Sequence, residues 1–310
     1  MKDIKLNEEI FDCSDPTVIA CKSYSSERHL NCKERWRMKR LDSVLHTEFR
    51  LSAEYVARGC AEGKILVNGE KKLAQYVLKN GDVISHFWQA DEPRIPVESL
   101  PTLLQCIEDE IVAVFKPAGL PTVPQGKFFR SNLTDILRHS LDRETISPIN
   151  RLDRCVSGLV LYQLGKNIEY EVKKKIYIAK ISTTFPHEFI TCTDKLSLSK
   201  HVADQVLKTV IDPVNGKESC TEFERLGDTF VICRPITGRT HQIRAHLGHL
   251  GFPIVGDWVY QSSGGSDLAQ PDAICLLAFE YTLTLNGNMH VFQCPRESFP
   301  KWAQSVPPIS

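Results

Sequence analysis

The chain has little of what marks a secreted, membrane-spanning or zinc-bound protein. Its eleven cysteines are odd in number and widely spread, and no two form a C-x-x-C pair. That spacing suits neither a zinc ribbon nor a disulfide framework. An excess of one charge is also lacking, because 38 Lys and Arg balance 38 Asp and Glu. Bulk electrostatics therefore cannot hold a nucleic acid, and such a partner would need a local basic surface. No apolar run near the start has the form of a signal peptide, and none later approaches a membrane span. Internal repeats and low-complexity tracts are missing as well. Scattered unpaired thiols fit a reducing compartment. The expectation is a soluble intracellular protein without a membrane partner. The cytoplasm is the preferred compartment, with nucleus and mitochondrion open, since residues 1–32 are too acidic for a typical transit peptide.

What is present is ordinary globular composition, 42% hydrophobic and 25% charged over 310 residues. That length suits one large domain with a smaller one. Residues 1–32 are polar and aperiodic and read as an arm. Lys33, Arg35, Arg37, Lys39 and Arg40 follow as a basic cluster around Trp36. On its own, this cluster reads equally as a solvated helix start or as a nucleic-acid contact. Leu41, Val44, Leu45 and Phe49 then recur at helical spacing. Ser52 is placed to cap a second helix and Gly63 to end it. Ile65 to Val67 reads as a strand turning at Asn68-Gly69, and Asn80-Gly81 precedes another strand from Val83 to Phe87. This order over residues 33–90 resembles the small RNA-binding module of a ribosomal small-subunit protein, which many RNA-modifying enzymes also carry. The resemblance implies basic helix residues that meet phosphates.

Pro93, Pro96 and Pro101 make residues 91–102 read as a linker. Strand patterns dominate residues 103–310: Ile111 to Phe115, Leu159 to Tyr162, Ile176 to Ala179 and Phe230 to Cys233. Leu133, Ile136 and Leu137 mark a short helix between them. The fold class expected is α+β, on a mixed, largely antiparallel sheet.

Two segments carry chemistry. In Arg151-Leu152-Asp153-Arg154 a carboxylate stands between arginines, just before Gly158 and a buried strand. Alone, such a string is more often a surface ion pair. In Gly238-Arg239-Thr240-His241-Gln242-Ile243-Arg244 a turn enters a helix whose apolar stripe is Ile243, Leu247 and Leu250, with Arg244 beside it. A Pro253-Ile254-Val255-Gly256-Asp257 turn follows. Together with Lys116-Pro117-Ala118-Gly119 and Lys175-Ile176-Tyr177-Ile178-Ala179, in this order, these segments resemble the RluA family of pseudouridine synthases, and the N-terminal module resembles that of its eukaryotic tRNA-modifying branch.

The resemblance implies a pseudouridine synthase acting on structured RNA, with tRNA as the first partner. Asp153 would be the catalytic carboxylate, Arg244 its partner and Tyr177 the ring against the flipped uracil. Arg151 would enter the vacated space, while Arg154, Arg239 and His241 would join the RNA contacts. A guanidinium near Asp153 favours the ionised carboxylate that the chemistry needs. The reaction neither oxidises nor hydrolyses, so no cofactor is expected. No metal is expected either: only His246 and His249 stand at i,i+3, without a carboxylate or thiol at ligand spacing. Their expected role, with His241, is polar contact around the helix or with RNA phosphates. The chain departs from the family pattern at Asn150, where relatives usually have histidine, at Cys155, at Val156, where they have threonine, and at Leu277, where many have histidine. These departures bear on loop geometry, and so on rate and substrate preference. The competing reading is a catalytically inactive RNA-binding or RNA-folding protein that keeps the fold.

Overall fold

The computed structural model describes residues 2–4, 6–15, 17–96, 98, 100–166, 168–200, 207–261 and 273–309. They fall into two units, residues 22–92 and residues 1–21 with 93–310. The smaller unit runs β1 (Tyr24–Asn31), α1 (Leu41–Phe49), α2 (Ala53–Glu62), β2 (Ile65–Val67), β3 (Glu70–Lys71) and β4 (Val83–Ala90), with sheet order β1-β4-β2-β3. Its second helix begins and ends where the sequence places it. The Ser52 hydroxyl accepts from the Tyr55 N–H at 3.2 Å, and Gly63 closes α2 at φ 77°. Leu41, Val44, Leu45 and Val56 pack with Ile65, Val67 and Ile84 into one apolar core beneath the sheet, with Trp36 fully buried among them.

The basic residues do not open α1 as expected. Lys33 to Arg40 form a 3-10 turn (Glu34–Trp36) and the chain leading out of it. Nor is the segment before them a loose arm. Tyr24 to Asn31 pairs along its whole length with β4, while Phe11 and Ile19 are buried in the other unit. The linker is likewise engaged, with Ile95 and Pro96 pairing with Ile19 and Val18.

The larger unit contains β5 (Thr102–Ile107), β6 (Ile111–Lys116), α3 (Leu133–Ser140), β7 (Ser157–Gln163), β8 (Tyr170–Lys180), β9 (Phe189–Cys192), β10 (Leu196–Lys200), β11 (Leu207–Ile211), β12 (Thr221–Arg225), β13 (Phe230–Pro235), α4 (Gln242–His249), β14 (Leu276–Leu285) and β15 (Asn288–Gln293). One sheet follows the order β5-β6-β7-β14-β8-β13-β12-β9, with β15 on β14, while β10 and β11 form a separate hairpin. Every labelled neighbour in the main sheet is antiparallel except β7 and β14. The class is the expected α+β, with a mixed, largely antiparallel sheet. β6 is buried at every residue because both faces are covered, which is why its sequence is an unbroken apolar run.

The parallel contact between β7 and β14 is where the sheet meets the loop that carries Asp153. Ser157 and Gly158 pair with Leu277 and Ala278. Gly158 has φ 123°, and a Cβ there would lie 2.3 Å from the Ala278 carbonyl oxygen. Only glycine allows the chain to leave the loop and enter the sheet at this point. No described helix is long and apolar enough to cross a membrane.

Candidate active site

The loop before β7 is held from three sides. The Thr122 hydroxyl donates to the Leu152 carbonyl at 2.9 Å and accepts from its N–H at 3.1 Å. The Lys116 ammonium, fully buried at the end of β6, donates to the carbonyls of Pro117, Leu120 and Arg154 at 2.9, 2.8 and 3.3 Å. Burial pushes the Lys116 pKa down to about 7. Asn150 lies alongside β7, accepting from Leu161 N–H at 2.8 Å and donating to Leu159 O at 3.1 Å. Its amide mimics a strand backbone there, which gives this departure from the family pattern a structural role. Val156 and Leu277 are buried apolar side chains, and burial raises the pKa of the Cys155 thiol.

This loop presents Asp153 to a cavity of about 680 Å³, which Arg151, Tyr177, Arg239, His241 and Arg244 also line. Arg244, on the first turns of α4, is 4% exposed. Its Nη1 donates to Asp153 Oδ2 at 2.8 Å, while Nε and Nη2 donate to the two oxygens of Asp257 at 2.7 and 2.9 Å. Burial alone would lower the Arg244 pKa, but the hydrogen bonds and charge of Asp257, with Asp153 beyond it, raise it above its ordinary value. Arg244 therefore stays charged, as a forked donor to carboxylates must.

Tyr177 projects from β8, and its hydroxyl makes a short contact with that of Tyr281 on β14. Burial, then Tyr281, raise the Tyr177 pKa well above its usual value, so the phenol stays protonated. Beside it Lys175 donates to Thr237 O at 3.3 Å, and burial lowers its pKa. Gln242 organises the turn into α4. Its Oε1 accepts from Thr237 Oγ1 and Arg239 N–H, and its Nε2 donates to Cys220 O and Thr221 Oγ1.

Several expected RNA contacts lie elsewhere. His241, at φ 52°, points Nε2 at Asp153 Oδ2 from 3.4 Å and Nδ1 at Tyr260 Oη from 3.1 Å. Its neighbours are Asp153 and Tyr260. Arg154 holds its guanidinium over the Phe128 ring at 5.8 Å. His246 is buried, 2.9 Å from Thr221 Oγ1 and 3.1 Å from Ser219 Oγ, which rules out phosphate contact. His249 lies 3.7 Å from Asp194. Arg151 and Arg239 remain exposed in the cleft. Asp257, Tyr260 and Tyr281 are the residues that sequence reasoning did not single out. Only the Gly-Asp turn gave any sign of the first of them.

Residues 110–249 match the family described as RNA pseudouridylate synthase. The chain belongs to that family. It is 34% identical over 274 residues to the mitochondrial tRNA pseudouridine(32) synthase of Saccharomyces cerevisiae, which covers 84% of this chain and 59% of that protein. It is 30% identical to the tRNA pseudouridine(31) synthase of the same yeast, over 77% of this chain and 71% of that one. RNA pseudouridine synthase 7 of Arabidopsis thaliana is 33% identical, over 75% of this chain and 62% of that protein. The chain thus spans about three-fifths of the length of several curated synthases it matches. The structure of human RNA Pseudouridylate Synthase Domain Containing 1 superposes with a TM-score of 0.51 at 21% identity, covering 64% of this chain and 84% of that one. That likeness concerns the fold of the synthase unit.

Proposed function

We propose that this synthase-family chain converts uridine to pseudouridine in structured RNA, tRNA first, with Asp153 as the catalytic carboxylate. The observation that carries the reading is the 2.8 Å contact of Arg244 with Asp153 in a cleft that also holds Tyr177 and Arg151. The cleft volume lies in the range of small-molecule sites, which suits one extruded nucleoside. In the reaction the N1–C1′ bond breaks, the uracil turns, and C5 bonds to C1′. The proton on C5 then leaves and N1 gains one. Asp153 starts the sequence as a carboxylate, by attack on C1′ or by removing the C2′ proton. Extruding the base costs a few kcal/mol, and Arg151 offsets it by filling the space left behind. Tyr177 packs on the uracil face. Arg239 and, from the basic cluster, the exposed Lys39 meet the RNA backbone.

The two yeast relatives are named for adjacent tRNA positions, 32 and 31, so mapping begins there. Bulk tRNA carrying tritium at C5 of uridine releases the label when the new bond forms. Release by the wild type and none by Asp153→Ala is expected. No release from either, with tight RNA binding kept, would replace this reading with that of an RNA-binding protein. The cytoplasm is the proposed compartment. One relative is named mitochondrial, so fractionation should compare the two.

A further inference from the structure

Asp153 receives its protein contacts on one oxygen. Arg244 Nη1 lies 2.8 Å from Oδ2 and His241 Nε2 lies 3.4 Å from the same atom, while no hydrogen bond among the described residues reaches Oδ1. Carboxylate oxygens only accept, so Nε2, at ion-pair distance from Oδ2, is the His241 nitrogen that the carboxylate favours as the proton's seat. In a neutral ring Nδ1 is then bare and needs a donor. Tyr260 Oη, 3.1 Å away, is in place to supply it. Tyr260 in turn accepts the backbone N–H of Thr209, in β11, at 3.0 Å. That bond takes up lone-pair capacity and leaves the phenolic hydrogen for His241.

Resting on the synthase reading, we propose that Tyr260 is a positioning residue for the reaction. Through His241 it holds Asp153 by Oδ2 and leaves Oδ1 to the ribose. Two further observations agree. Burial lowers the His241 pKa against the opposing pull of Asp153, which keeps the ring neutral. Burial also pushes Tyr260 up to about 12, which keeps it a donor. The groups facing His241 are Asp153, Arg244, Asp257 and Tyr260. Arg244 and Lys208 both place their cations 5.3 Å from the Tyr260 ring, so a phenyl ring there keeps that packing.

The variant to make is Tyr260→Phe in the full chain, assayed by C5 tritium release from tRNA. At pH 8 turnover should fall about tenfold, the loss of one hydrogen bond's orientation, with KM unchanged. In a His241→Gln background Tyr260→Phe should cost nothing further. A loss that persists undiminished in the His241→Gln background would overturn the proposal. Nitrogen-15 spectra of the free wild type should show a neutral His241 ring protonated at Nε2, and the other tautomer would also overturn it. A wild type that releases no tritium defeats the synthase reading and the role with it, while the spectra still decide the hydrogen-bond chain.

Discussion

Arg244 meets Asp257 through two nitrogens, Nε at 2.7 Å and Nη2 at 2.9 Å, so that its remaining Nη1 is aimed at Asp153. The guanidinium is planar, and a carboxylate that grips one edge fixes the direction of the other. Asp257 is fully buried and Arg244 nearly so. Asp257→Asn should therefore destabilise the larger unit by about 3–5 kcal/mol, the usual cost of removing one partner of a buried ion pair. Asp153 has a side chain 29% exposed, and Asp153→Asn should change stability by less than about 1 kcal/mol. Denaturant melts of both variants test this ordering, and equal losses would show that Asp257 does not anchor Arg244. Both variants should lose turnover.

Tyr177 lines the cleft while its hydroxyl is occupied by Tyr281. The face, not the hydroxyl, should matter. Tyr177→Phe should turn over close to the wild type. Tyr177→Ala should lose roughly five- to 150-fold in kcat/KM, the equivalent of about 1–3 kcal/mol of base stacking. Steady-state rates with tRNA decide between them, and a phenylalanine variant as poor as the alanine one would assign the role to the hydroxyl.

Lys116 gives the fold a pH signature. Its folded pKa, pushed down to about 7 by burial, lies below the ordinary lysine value near 10.4. Between those values the unfolded chain binds a proton that the folded chain does not, so this group makes stability rise with pH, by up to ~1.4 kcal/mol per unit. Buried thiols such as Cys192, also raised by burial, act the other way above about pH 8.5. The difference between wild type and Lys116→Met cancels the thiols. It should slope upward in favour of the wild type from pH 7 to 9. A flat difference would mean that the three carbonyls keep the ammonium charged.

The sequence made some of this legible for identifiable reasons. β6 is buried on both faces and wrote an unbroken apolar run from Ile111 to Phe115. α2 carries its cap at Ser52 and its stop at Gly63, both local signals. β1 was missed because its buried and exposed sides are both largely polar: Tyr24, Ser26, Arg28 and Leu30 are only partly covered, and only pairing with β4 reveals the strand. At the site, Asp153 and Arg244 are named by motifs that lie 91 residues apart. Asp257, Tyr260 and Tyr281 serve those residues through contacts that the folded chain alone creates. Tyr281 is 104 residues from the phenol it touches, and no spacing rule reaches that far.

The basic cluster separates residues that the sequence could not. Arg35 is held by Glu48, Nε at 2.9 Å and Nη2 at 2.6 Å, and Trp36 donates to the same carboxylate at 2.9 Å. Arg40 is forked onto Asp42. Lys39 is exposed and makes no ion pair among the described residues, so it is free to neutralise a phosphate. Removing one cation that neutralises a phosphate should flatten the dependence of log Kd on log salt by about 0.7–1. Lys39→Ala should show that decrease and weaken all structured RNAs alike. Arg35→Ala should leave the slope unchanged and lower the denaturant midpoint of residues 22–92. RNA titrations at several salt concentrations, with a melt of each variant, decide the assignment. A slope change at Arg35 and none at Lys39 would mean that the ion pair with Glu48 opens to let RNA in.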